Sequence, residues 1–209
     1  MNTINEIVEF THVIKKSVFT CTLIPVNSIE EVNENLKLIR KKYYDATHNC
    51  YSYILTDKDN NFLIKASDDG EPSQTAGVVI LDVLKKNDLT NILAVVTRYF
   101  GGIKLGAGGL VRAYSSSTSE AVKIANIIPI IKMIDIEVTI GYIYVNEVLK
   151  IFKGYTEVSN KYETNVTLRY TIPQNESDNL SNKLITLTKN NIDIKLINKW
   201  FFPIKKSTN

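Results

Sequence analysis

The chain has 209 residues, 44% of them hydrophobic, and a formal net charge of +3 at pH 7. This length suits one large or two small domains, and the apolar share supplies a packed core. No apolar run approaches the roughly 20 residues of a membrane-spanning helix, and MNTINEIVEF lacks the basic-then-apolar pattern of a signal peptide, so a cytoplasmic protein with no membrane partner is expected.

Cys21 and Cys50 are the only cysteines. Two thiols in such a chain are expected to be reduced and packed, and their number excludes a four-cysteine zinc site. Basic and acidic residues balance before residue 130, and the excess of base lies after it. That points to an anionic partner but falls short of the basic stripe of a nucleic-acid surface.

In chain order, Val18 to Val26 reads as a strand. Ser28 followed by Glu31 is a capping box opening an amphipathic helix to about Tyr44. Cys50 to Thr56 and Phe62 to Ala66 read as a hairpin turning at DKDNN. Thr75 to Lys86 is a predicted helix. Asn91 to Tyr99 is a nearly continuous apolar strand, expected to be buried on both faces. Gly108 to Ile124 is a further helix.

Pro129 marks a predicted boundary between domains 1–129 and 130–209. Beyond it come a strand (Lys132 to Ile140), a helix (Tyr144 to Lys153), two strands (Thr156 to Tyr162, Thr164 to Ile172), a helix (Glu176 to Asn190) and a last strand (Ile192 to Phe202). That β-α-β-β-α-β order is the ferredoxin-like, split βαβ pattern. The predicted class is α+β.

Seven of the nine glycines fall in two stretches, DDGEPSQTAG (Asp68 to Gly77) and the longer VVTRYFGGIKLGAGGLVRAY (Val95 to Tyr114). Asp68, Asp69 and Glu71, with Ser73 or Thr75 as further oxygen donors, could hold a hard cation such as Mg²⁺. The same residues could instead form a turn and cap the next helix. The second stretch leaves a buried strand and enters a helix. Its glycines, Gly101, Gly102, Gly106, Gly108 and Gly109, expose backbone amides of the kind that hold phosphate or carboxylate. Arg98, Lys104 and Arg112 add positive charge, and Tyr99 lies among them. Neither the Walker nor the dinucleotide pattern is present. The competing reading packs the two loops together, with Arg98 and Arg112 paired to the acidic residues.

His48 and Cys50 share one face of a strand. They read either as a base and nucleophile or as a half-buried histidine beside a packed thiol. Trp200, Phe201 and Phe202 either stack on bases or pack the second domain.

KKSVF (Lys15 to Phe19), DATHNCYSY (Asp45 to Tyr53), SDDGEPSQTAG (Ser67 to Gly77) and VVTRYFGGIKLGAGGLVRAY together resemble the YigZ/IMPACT family (uncharacterised protein family 0029), bacterial two-domain type. One departure is Val78-Val79, where the family has a proline after TAG. The resemblance implies an N-terminal domain like domain 2 of ribosomal protein S five and a C-terminal ferredoxin-like βαββαβ domain like those of elongation factor G. It also implies a link to translation, since the eukaryotic relatives regulate translation through a protein partner. Fold likeness alone does not establish function.

The expectation is a non-enzymatic translation-associated regulator that binds RNA, the ribosome or a translation-related protein through the glycine-rich loop. The alternatives are a Mg²⁺-dependent enzyme acting on a small phosphorylated substrate and a pure protein–protein adaptor.

Overall fold

The computed structural model describes the backbone of residues 1–57 and 61–203, and the side chains of these up to residue 197. The tip of the turn expected at DKDNN and the side chains of Trp200, Phe201 and Phe202 lie outside the described residues. The chain is mixed α and β, with two antiparallel sheets. It divides into compact units at Ile130 and Ile131.

In the first unit, β2 (Val8–Ile14), β3 (Ser17–Pro25), β4 (His48–Thr56), β5 (Phe62–Ser67) and β6 (Ile92–Tyr99) form a sheet ordered β2-β3-β6-β4-β5. Every neighbouring pair in it is antiparallel. The short β1 (Asn2–Ile4) pairs instead with the start of β7 (Ile127–Ile140), Asn2 opposite Pro129. Neither β1 nor β2 was expected from the sequence.

β6 explains why its sequence is apolar throughout. Leu93 and Val95 pack with α1 (Ile29–Lys42), while Ala94 and Val96 pack with α2 (Gly77–Lys86) and α3 (Ala107–Ile124). All four are fully buried. Side chains alternate across a strand, so a strand covered on both faces needs no polar position.

The helices begin in three ways. Ser28 caps α1 by accepting from the Glu31 amide at 3.2 Å, and the Glu31 carboxylate accepts from the Asn27 amide at 2.8 Å. This is the expected capping box, reaching one residue further back. α2 starts two residues later than expected, because Gln74 takes a positive φ of 64° and leaves Thr75 outside the helix. α3 starts at Ala107 with Gly106 before it at φ 71°, and no side chain caps it.

The second unit holds the rest of β7, then α4 (Val145–Phe152), β8 (Thr156–Tyr162), β9 (Val166–Pro173), α5 (Ser177–Thr188) and β10 (Ile192–Pro203). Its strands are ordered β10-β7-β9-β8. Ile134, Ile136, Val138 and Ile140, alternate residues of β7, enter a core with Phe152, Leu168 and Leu184. Between them Asp135 is fully buried, paired to Arg169 at 2.8 Å and to the Thr171 hydroxyl at 2.7 Å. Among the described residues no helix is long and apolar enough to cross a membrane.

Candidate functional site: a cleft at the start of α3

The acidic loop is bonded into the protein. Asp68 is the acceptor for the start of α2: its carboxylate takes the amides of Gln74, Ala76 and Gly77 at 2.9, 3.0 and 2.8 Å. These amides would otherwise be unpaired at a helix start, where negative charge is favoured. Asp69 accepts from the Asn49 amide at 2.7 Å and pairs with Arg40 at 3.3 Å. Thr75 donates its hydroxyl to the Pro72 carbonyl at 2.7 Å, while Ser73 is exposed.

Glu71 turns inward. Its Oε1 accepts from Arg98 at 2.6 Å and from the Tyr114 hydroxyl at 2.8 Å. The Asp68, Asp69 and Glu71 carboxylates are thus each held by protein donors, and no group of three metal-ligating side chains occurs among the described residues. That arrangement matches the turn-and-cap reading of the loop.

The basic residues divide. Arg98, 5% exposed, lies between the rings of Phe19 and Phe100 at 5.4 and 5.5 Å, and reaches Ser17 as well as Glu71. Its Nε is buried and has no partner among the described residues. Lys104 is exposed, and so is Arg112, and neither has an ion pair among the described residues. The competing loop-pairing reading therefore describes Arg98 and not Arg112. Tyr99 donates to Asp45 at 2.7 Å, and this bond to a carboxylate pushes its phenol up to about 12.

Gly101 is where the loop touches the β2–β3 hairpin. A Cβ there would stand 2.0 Å from the Lys16 carbonyl carbon. The Gly101 amide also donates to Ser17 at 3.1 Å. The hairpin turn itself is Lys15-Lys16, both at positive φ. Two further lysines thus stand beside the glycine loop. Gly102 and Gly106 take positive φ, and Gly108 and Gly109 lie in the first turn of α3.

Between the two loops lies a cleft of ≈ 380 Å³. Thr47, His48, Glu71 and Arg98 line one part of it. Phe100, Leu105 and Leu110 give it apolar wall, and Lys104, Gly106 and Ala107 bring in the start of α3. A cleft of this size with few polar groups on apolar walls is the usual form of a small-ligand site.

His48 and Cys50 do share a strand face but do different things. The Cys50 thiol bonds to the Asp68 carbonyl at 2.9 Å and to Tyr114 at 3.3 Å, and burial pushes it up to about 12. A thiol so raised supplies no thiolate at neutral pH, so the base-and-nucleophile reading fails at the sulfur. Burial likewise raises the Tyr114 phenol, with Cys50 and Glu71 adding to it. His48 goes to the cleft. Its Nδ1 meets the Asp69 carbonyl at 2.8 Å, and the ring packs on Gly70.

Sequence reasoning did not select Ser17, Thr47, Phe100 or Tyr114. All four lie inside the motif stretches already quoted; Ser17 opens β3 and Tyr114 sits on α3, while Thr47 and Phe100 flank β4 and β6, where no periodic signal marks them.

Comparison with known proteins adds a lineage to this geometry. The Impact N-terminal domain matches residues 15–122. Over 195 residues the chain is 38% identical to "IMPACT family member YvyE" of Bacillus subtilis, covering 92% of this chain and 89% of that one. The chain belongs to the IMPACT family. A further IMPACT family member, YigZ of Escherichia coli, is 38% identical over 110 residues, 53% of this chain and 54% of that one. "Protein IMPACT" of Rattus norvegicus is 37% identical over 95 residues, 44% of this chain and 29% of that one. A solved structure described as a hypothetical protein matches with a TM-score of 0.67 and 27% identity over 92% of this chain and 95% of that one. Every residue that lines the cleft lies within the matched IMPACT-family segment.

Proposed function

We propose that the protein is a non-enzymatic, translation-associated regulator that binds RNA or the ribosome, gripping backbone phosphate in the cleft at the start of α3. The observation that carries this reading is the contrast between two helix starts. The amides of α2 are taken by Asp68, whereas α3 has no side-chain cap, no acidic residue in its first turn and Lys104 just before it. An uncapped helix start combines free amides with the positive end of the helix dipole, and both attract anions. Lys15 and Lys16, in the turn that Gly101 touches, add exposed charge. Membership of the IMPACT family supports the link to translation.

On this reading residues 1–129 form the signature domain, akin to domain 2 of ribosomal protein S five. Residues 130–209 form a second, ferredoxin-like domain that adds surface, and the protein works in the cytoplasm.

The test is co-sedimentation with ribosomes and binding to single-stranded RNA at 50 and 200 mM salt. Phosphate contacts make affinity fall steeply across that range. Lys104→Ala is expected to weaken binding for all sequences and to lower the salt slope by about one. Absence of binding at low salt removes the reading.

A specific observation favours the adaptor as second reading: Phe100 and Ile103, beside the cleft, are 46% and 41% exposed. Capture of a protein partner that survives nuclease treatment and depends on Phe100 and not on Lys104 would replace the first reading with this one.

A further inference from the structure

His48 Nε2 and Glu71 Oε2 line the cleft, and neither receives a hydrogen bond among the described residues. The Nδ1 of His48 meets a carbonyl, which only accepts. Nδ1 therefore carries a hydrogen, and Nε2 is an acceptor whenever it carries none. Glu71 spends Oε1 on Arg98 and Tyr114, while Oε2 receives no hydrogen bond among the described residues. Nε2 and Oε2 stand 3.9 Å apart, an ion pair when the ring is protonated but too far for a hydrogen bond between them.

Two neighbouring acceptors call for two neighbouring donors. Hydroxyls on adjacent carbons supply that pair, one to each atom. The same cleft offers an anion seat at Lys104 and the start of α3, and apolar wall at Phe100, Leu105 and Leu110. It also contains Arg98, a 5% exposed cation whose Nε is unpartnered. The volume of ≈ 380 Å³ admits one small ligand rather than a duplex.

We propose that the cleft binds a single ribonucleotide with a free 2′,3′-diol, its phosphate at Lys104 and the α3 amides, its diol on His48 Nε2 and Glu71 Oε2, and its base against Phe100. The inference rests on the anion reading of the cleft and names the ligand class for it. Two sources of this chemistry fit the reading: a free ribonucleoside 5′-phosphate, or the 3′-terminal nucleotide of an RNA, since internal nucleotides have the 3′-oxygen esterified.

The test is calorimetric titration of the full chain with adenosine 5′-monophosphate, its 2′,3′-dideoxy counterpart, inorganic phosphate, and a short oligoribonucleotide with a free or a 3′-phosphorylated end. The dideoxy compound is expected to bind at least about tenfold more weakly, the worth of one good hydrogen bond to a charged group. His48→Ala is expected to erase that preference. In case this variant fails to fold, the His48 ring nitrogen signals of the unaltered protein are followed by NMR: they move with the ribonucleotide and stay with the dideoxy compound. Tighter binding of the free-ended oligonucleotide than of the mononucleotide assigns the RNA end as source, and the reverse order assigns the free nucleotide. Equal affinity for ribo and dideoxy forms overturns the diol inference and leaves the anion reading standing. No binding of any probe at millimolar concentration overturns both.

Discussion

Arg98 at the end of β6 and Glu71 in the acidic loop pair at 2.6 Å with side chains only 6% and 3% exposed. The pair ties the central strand to the loop that starts α2, and Tyr114 of α3 closes it from the other side. Removing one partner of a buried pair leaves an uncompensated charge, which costs far more than the net worth of the pair. Glu71→Ala is therefore expected to destabilise the first unit by about 3–5 kcal/mol, read as a lower urea midpoint at pH 7. A midpoint equal to that of the unaltered protein would show that Arg98 finds water or another partner.

The glycines separate by what surrounds them. At Gly101 a methyl group would overlap the Lys16 carbonyl carbon at 2.0 Å, and backbone on both sides cannot yield. Gly101→Ala is expected to cost about 3 kcal/mol, the upper end of overpacking. At Gly108 the nearest atom to a new Cβ is the tip of Arg112 at 3.7 Å. Gly108→Ala is expected to leave stability unchanged or raise it by up to about 0.5 kcal/mol through helix propensity. Thermal unfolding of the two variants side by side checks the contrast.

Lys15 and Lys16 close a two-residue hairpin with φ of 45° and 65°, where side chains are disfavoured. Asn-Gly is the favoured pair for such a turn. Replacing the two lysines by Asn-Gly is expected to raise the melting temperature, by a gain of about 1 kcal/mol. On the proposed function it also weakens RNA binding, because two cations leave the edge of the glycine loop. A rise in both quantities would show that the lysines serve neither end.

Burial pushes the thiols of Cys21 and Cys50 up to about 12, well above the ordinary cysteine value. As pH rises the unfolded chain releases these protons first, so unfolding becomes easier. Their contribution to stability is intact below about pH 8.5 and is lost progressively toward pH 12, by about 1.4 kcal/mol per pH unit for each thiol. Unfolding measured from pH 8 to 10, compared with a Cys21→Ala, Cys50→Ala double variant, isolates the effect. At pH 8 the native protein is expected to resist thiol alkylation until it is unfolded.

Local signals were enough for several elements. The apolar run at β6, the serine before α1 with the glutamate in its first turn, and the β-α-β-β-α-β order after residue 130 each follow from propensity and period. β2 escaped notice because its turn carries lysines in place of the usual asparagine and glycine, and because its burial alternates only between partial and none. Thr75 was read into α2 because nothing local reveals that Gln74 turns left-handed. The cleft was half legible. Glycine density marked the start of α3, but the turn of Glu71 inward and the bond from His48 to the Asp69 carbonyl depend on partners 21 to 43 residues away.

β6 is sandwiched between helices on both faces and between strands on both edges, and Arg98 sits near its end. Backbone amides in such a strand exchange with solvent only when the whole unit opens. The arginine that lines the cleft is therefore anchored in the part of the first unit that opens last, while β2 and β5 at the sheet edges open more readily. A recognition surface mounted this way keeps its shape through the ordinary breathing of the protein and is lost all at once, together with the fold.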